Sequence, residues 1–172
     1  MSGSQQFDRR ITPARGDLAA ASLRGRVAAD RYVEGERFTV ACELADLKRA
    51  PRSDAALETQ LLYGELVTVF EEAEGWAWVQ AERDGYVGYL AMGALAPGWG
   101  AATHRVVVQR TFVYPAADMK QPIVGAIPLD GRVCANGTSG SFTRIGDHAF
   151  VFTAHLAALE SQVADYVAVA ER

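Results

Sequence analysis

The chain has 172 residues, 17 basic and 21 acidic, for a net charge of −4, with 49% hydrophobic and 22% charged side chains. That balance excludes a disordered chain, and without a basic run to track a phosphate backbone it excludes nucleic acid as a partner. No 18-residue apolar run and no apolar core of signal-peptide length occur, so the sequence predicts a soluble, cytoplasmic chain with no membrane segment.

Residues 1–15 are polar and irregular and read as an extended arm, with Pro13 and Gly16 as breakers. DLAAASLRGRVAA, from Asp17 to Ala29, allows a short helix up to about Leu23, where Gly25 stops it. RFTVACEL at 37–44 reads as a strand, and DLKRAPRSDAALETQ after it as a long surface loop around Pro51. The clearest pattern follows at 58–95. Three apolar runs, Leu66–Phe70, Trp76–Val79 and Tyr86–Leu90, alternate with Gly64, Gly75, Gly85 and Gly88, which predicts a tight antiparallel meander ending in one 3₁₀ turn at 92–95.

APGWGAA at 96–102 marks a boundary between apolar blocks. Beyond it, strands are predicted at 105–108, 123–127, 131–135, 142–145 and 149–152, with turns at Asp130-Gly131, Asn136-Gly137 and Gly146-Asp147. Both blocks run strand, Pro-containing loop, strand, turn, strand, turn, strand and a last turn closing on leucine, at Leu95 and at Leu156. This is a repeat of about 60 residues in layout. Short strands at this spacing fit small, partly open SH3-like barrels better than a two-sheet sandwich.

The expected fold is therefore mainly β. An arm with a short helix occupies 1–30, a first SH3-like barrel 31–96, a linker 97–103, a second barrel 104–158 and a short helix 159–172. In that helix Val163, Tyr166, Val167 and Ala170 share one face, which is expected to bury itself on a barrel or on a second copy of the chain, giving a dimer. Cys42 and Cys134 sit in apolar strand-like runs and read as unpaired core thiols; their spacing fits no metal site, and no cofactor is expected. Glu43 beside Cys42 disfavours a thiolate, and His148 and His155, in the same block as Cys134, read as loop or strand-end residues.

QLLYGE at 60–65, GWAWVQ at 75–80 and DGYVGYL at 84–90 together resemble the bacterial SH3-like domains that precede the catalytic domain of NlpC/P60 cysteine peptidases. DRRITPARG, THRV, VYPAAD and FVFTAHLAAL are similar to the same proteins, so the resemblance runs from about Phe7 to Arg172. It implies a γ-D-glutamyl-diamino-acid endopeptidase that trims cell-wall muropeptides, often during cytoplasmic recycling. The nucleophile of such enzymes lies in an Asp-Cys-Ser-Gly motif after a helix of the type VAVAERFLGTPYLWGG. This chain ends at VAVAER and lacks that motif, so it is expected to be non-catalytic, serving a catalytic domain in cis.

The resemblance also implies a recognition site. In the family, the first SH3-like domain closes one end of the substrate groove and binds the free amino group of a terminal L-alanine through an acidic side chain and a tyrosine. Glu65 and Tyr86 match those motifs, and Tyr63, Asp84 and Tyr89 are further candidates for the same surface. An ammonium is bound well by a carboxylate supported by a hydroxyl. Trp76 and Trp78 alternate with Ala77 and read as packing residues. Phe112 and Tyr114 are either an exposed aromatic pair or one strand face, and the second block reads as a spacer. The alternative function is a protein–protein adaptor taking a proline-rich peptide on Tyr63, Trp76, Tyr86 and Tyr89, flanked by Glu71, Glu72 and Glu74.

Overall fold

The computed structural model describes residues 7–98 and 101–161. Strands dominate it, as the alternating pattern predicts, and three single 3₁₀ turns are the helical elements among the described residues. Two compact units form: unit 1 holds residues 1–40, 45–61 and 65–98, and unit 2 holds 41–44, 62–64 and 99–172.

In unit 1, β1 is Leu18–Ala20, β2 Arg31–Val33, β3 Glu36–Val40, β4 Leu44–Lys48, β5 Leu57–Leu62, β6 Leu66–Ala73, β7 Trp76–Ala81, β8 Val87–Ala91 and β9 Leu95–Pro97. Seven of them form one sheet in the order β5-β4-β8-β7-β6-β3-β9. The predicted meander is its centre. β6 pairs with β7 and β7 with β8, all antiparallel, with a bulge at Phe70. The sheet is open, and no closed barrel forms among the described residues.

Alternation along β7 shows where the core lies. Ala77, Val79 and Ala81 are buried on one face, and Trp78, on the other, is buried as well. A strand buried on both faces needs a cover on each. The cover over Trp78 comes from the N-terminal segment, since Leu18 packs with Trp78 and Val87, flanked by Val33, Phe70 and Tyr89.

That segment corrects one expectation. Asp17–Leu23 is not a helix: Leu18–Ala20 is a strand in parallel register with Arg31–Val33, followed by a 3₁₀ turn at Ala21–Leu23. A run this short between Gly16 and Gly25, the latter at φ +78°, forms too few helical hydrogen bonds to offset nucleation, whereas the strand buries Leu18 completely. Within the arm Ile11 and Thr12 donate to the Asp8 carbonyl, and the Arg10 carbonyl accepts the Val87 N–H at 2.6 Å, which ties the arm to β8.

The expected loop at 46–60 is also mostly strand. β4 and β5 are neighbours in the sheet, and Arg49 N–H reaches the Ala56 carbonyl at 2.9 Å, leaving a short tip around Pro51. Leu47 and Leu61, fully buried, anchor this hairpin against the polar composition around them.

In unit 2, β10 is His104–Val106, β11 Arg110–Val113, β12 Gly125–Pro128, β13 Arg132–Val133, β14 Thr138–Ser139, β15 Phe142–Gly146, β16 Ala149–Phe152 and β17 Leu156–Ala158. They make three small sheets, β13-β10-β17, β11-β12 and β14-β15-β16. Val106, Ile127, Val133, Ile145 and Val151 form the core, and Tyr63 joins them. β11 carries Phe112, one of the two aromatics read as either an exposed pair or one strand face; Phe112 is exposed and Tyr114 buried, so they are not an exposed pair. Thr111 and Ile127 face each other across its ladder with β12, both fully buried, while Phe112 points outward.

The repeated layout has a geometric counterpart. β8, the 3₁₀ turn Met92–Ala94 and β9 recur as β16, Thr153–His155 and β17. Ala91 and Phe152 enter the turns at φ −62°, and Leu95 and Leu156 leave them at φ −113° and −112°. Leu95 then pairs with Val40 and Leu156 with Val106. The predicted C-terminal helix, and the dimer built on it, lie outside the described residues.

Candidate functional site

Glu65 occupies the β5–β6 corner, where its carbonyl accepts the Val40 N–H at 2.9 Å. Its side chain is only 8% exposed, and Oε1 accepts a hydrogen bond from Arg83 Nη1 at 2.7 Å. A carboxylate this buried requires a cation or strong donors. Arg83, however, is 47% exposed, in the β7–β8 turn.

The same turn carries Asp84 and Tyr86. Asp84 is exposed, and its Oδ1 accepts the Tyr86 N–H at 3.1 Å, an Asx turn that Gly85 completes at φ +78°. Tyr86 is half-buried, and its carbonyl accepts the Ala81 N–H at 2.8 Å. The N-terminal segment pins this corner: Gln80 Nε2 donates both to the Ile11 carbonyl at 3.1 Å and to the Gly85 carbonyl at 3.0 Å. Glu65, Asp84 and Tyr86 are therefore linked to one rigid turn, Glu65 through Arg83.

Two other candidates stand elsewhere. Tyr63 is not on a rim: it is 8% exposed in the core of unit 2, and burial pushes its hydroxyl up to about 12. Tyr89 accepts a hydrogen bond from Arg15 Nη1 at 3.0 Å, within a cluster in which Arg15 also pairs with Asp17 and Glu71 and lies over the Trp78 ring. Trp78 is buried, as its packing role requires, and Trp76 half-buried. The aromatic groove of the adaptor reading is thus not assembled.

Sequence reasoning missed Arg83 and Arg15. The signal for Arg83 was the acid itself, since a buried carboxylate calls for a nearby cation. Nothing in the spacing of Arg15 announced its partners 56 and 74 residues away.

Both cysteines are unpaired. Cys42 donates to the Leu44 carbonyl at 3.3 Å, and burial raises its thiol above the usual range. Cys134 donates to Asn136 Oδ1 at 3.4 Å, and His155 Nδ1 is engaged instead by Thr111 Oγ1 at 2.9 Å. Among the described residues no group of three or more acidic, histidine or cysteine side chains is placed to hold a metal, and no helix is long and apolar enough to cross a membrane.

Residues 47–95, from the end of β4 to the start of β9, match the family model of the bacterial dipeptidyl-peptidase SH3 domain. This stretch is similar to a bacterial SH3 domain. Among solved structures, an NlpC/P60 family protein from Bacillus cereus is similar at a TM-score of 0.59 and 16% identity, over 71% of this chain and 56% of that one. At such identity the likeness is one of fold. NlpC2 from Trichomonas vaginalis is similar more loosely, with a TM-score of 0.34 and 13% identity over 74% of this chain and 49% of that one. The chain thus spans about half the length of these structures, and no curated protein matches it.

Proposed function

We propose that this chain is the non-catalytic recognition module of an NlpC/P60 cysteine peptidase acting on cell-wall muropeptides, and that it reads the free N-terminal L-alanine of a murein peptide. The chemistry belongs to a catalytic domain in cis, and the setting is cytoplasmic muropeptide recycling. Unit 2 is a second SH3-like copy that serves as a spacer in this reading. The observation that carries the proposal is the Glu65 carboxylate, buried inside the family-matched stretch and held by a half-exposed arginine.

Arg83 holds the Glu65 carboxylate until substrate arrives. A substrate ammonium then takes over an oxygen of Glu65 while Arg83 turns to solvent, at little cost because its head group is already half hydrated. The Tyr86 hydroxyl supplies an acceptor for a second ammonium proton. A peptide extended at its N-terminus brings an uncharged amide to this position, which offers the carboxylate no charge to replace that of Arg83 and is disfavoured.

The test uses the full-length enzyme and compares kcat/KM for L-Ala-γ-D-Glu-diamino acid with that for its N-acetylated form. Glu65→Gln is expected to reduce the preference for the free amine by roughly tenfold or more. An unchanged preference overturns the assignment.

A further inference from the structure

Unit 2 carries a second recognition feature, independent of Glu65. β14 forms the end of its three-stranded sheet and pairs with β15 on one side only. Thr138 and Ser139 are both exposed. Ser139 pairs with Phe142 across the two-residue turn Gly140-Ser141, and Arg144 N–H donates to the Gly137 carbonyl at 2.9 Å. Antiparallel pairs alternate between those that exchange hydrogen bonds and those that do not. The pair between these two, Thr138 with Thr143, is the one that does not. Thr138 consequently aims its own N–H and C=O away from β15, at the open edge.

Two hollows meet along that edge. Thr143, Thr153, His104, Ala135 and Leu156 line one of about 250 Å³. Arg144, Phe150, Asn136, Ser139 and Ala117 line another of about 400 Å³. Gly137 and Thr138 border both. Thr143 and Arg144 are successive residues of β15 and so stand on opposite faces of the strand, which places the hollows on opposite sides of the edge.

The larger hollow is positively charged. Arg144 donates to the Asn136 carbonyl at 3.1 Å, has no carboxylate partner among the described residues, and meets no acidic side chain in the lining. By contrast, Arg105 and Arg110 in the same unit pair with Asp130 and Glu43.

The geometry points to β14 as a docking edge for an extended acidic segment of a partner protein. The segment's backbone adds to Thr138 as a further strand, one carboxylate side chain lies against Arg144 and Phe150, and the next side chain, small or hydroxylated, enters the hollow beside His104 and the threonines. Such alternation requires L residues joined by α linkages. A γ-linked peptide of mixed chirality breaks the spacing, so a murein peptide is not the occupant.

The probe is a fluorescein-labelled, end-blocked heptapeptide of alternating glutamate and threonine, titrated with the whole chain by fluorescence anisotropy. Saturable binding is expected, and Arg144→Ala weakens it by roughly tenfold, the effect of losing one charge-assisted contact, while Arg26→Ala leaves it unchanged. Methylating one alternate set of the peptide's backbone nitrogens is expected to abolish binding, and methylating the other set to leave it. Absence of saturable binding at millimolar chain overturns the inference, as does an N-methyl profile without alternation or an equal loss in Arg26→Ala. Displacement of the probe by L-Ala-γ-D-Glu-diamino acid with the same dependence on Arg144 overturns the choice of occupant.

Discussion

Replacing Gly64 with alanine is expected to loosen unit 2 at the point where Tyr63 enters its core. Gly64 adopts φ +81°, a left-handed conformation that costs an L side chain about 1–2 kcal/mol. An added Cβ also overlaps the Arg132 carbonyl oxygen and stands 2.7 Å from the carbonyl carbon, inside the 3.0 Å limit that real Cβ contacts respect. The backbone must shift to relieve this, and the bond it endangers is the Arg132 N–H to the Tyr63 carbonyl, 2.8 Å long, whose loss costs about 1 kcal/mol. Together the terms come to roughly 2–3 kcal/mol, or a fall in Tm of about 4–12 °C at this chain length. Amide hydrogen exchange reads the mechanism directly, since protection at the Arg132 amide is expected to collapse before that of the β7 amides in unit 1. A Gly64→Ala chain that keeps both its Tm and its Arg132 protection refutes the reasoning.

Leu18→Ala removes a fully buried side chain between Trp78 and Val87 and is expected to destabilise unit 1 by about 2–4 kcal/mol, read from urea midpoints followed by tryptophan fluorescence. Tyr63 has its hydroxyl raised from 10 to about 12 by burial, so the folded state favours the neutral phenol. The stabilisation is full below pH 10, where the unfolded side chain is neutral too, and is lost as pH climbs toward 12; it amounts to roughly 2–3 kcal/mol, and Tyr63→Phe is expected to lack this alkaline loss in thermal melts. Asp8 is held at about 2 by the side-chain and backbone hydrogen bonds from Arg10, and its carboxyl resonance is expected to titrate near that value, returning toward 3.8 in Arg10→Ala. A midpoint unmoved by that substitution removes Arg10 as the cause.

What the sequence disclosed followed from local physics. Trp76, Trp78 and Val79 alternate between glycines, and a strand period needs no distant information to be read. The 3₁₀ turn after Leu90 and the turns around Asp130 and Asp147 were legible for the same reason, whereas Asn136-Gly137 is not a turn, the one between β14 and β15 falling at Gly140-Ser141. β1 was not, because Leu18-Ala-Ala has no strand propensity of its own and is a strand only because Trp78 and Val87 need a cover. β4 and β5 were hidden by a polar composition that two buried leucines outweigh. At the candidate site, Glu65, Asp84 and Tyr86 could be named from short motifs, yet the placement of Tyr63 in the core of unit 2 is a tertiary fact. Two residues apart along a strand end, Tyr63 and Glu65 lie in different units, and no periodicity encodes that division.

The way residues 41–44 and 62–64 belong to unit 2 while the sequence around them belongs to unit 1 has an evolutionary consequence. A gene segment encoding residues 99–172 alone would lack Tyr63 and leave a hole among Val106, Ile127 and Val151. Recombination at the glycine-rich boundary would therefore part unit 2 from a piece of its own core. The interleaving of the chain protects the pair from being shuffled apart.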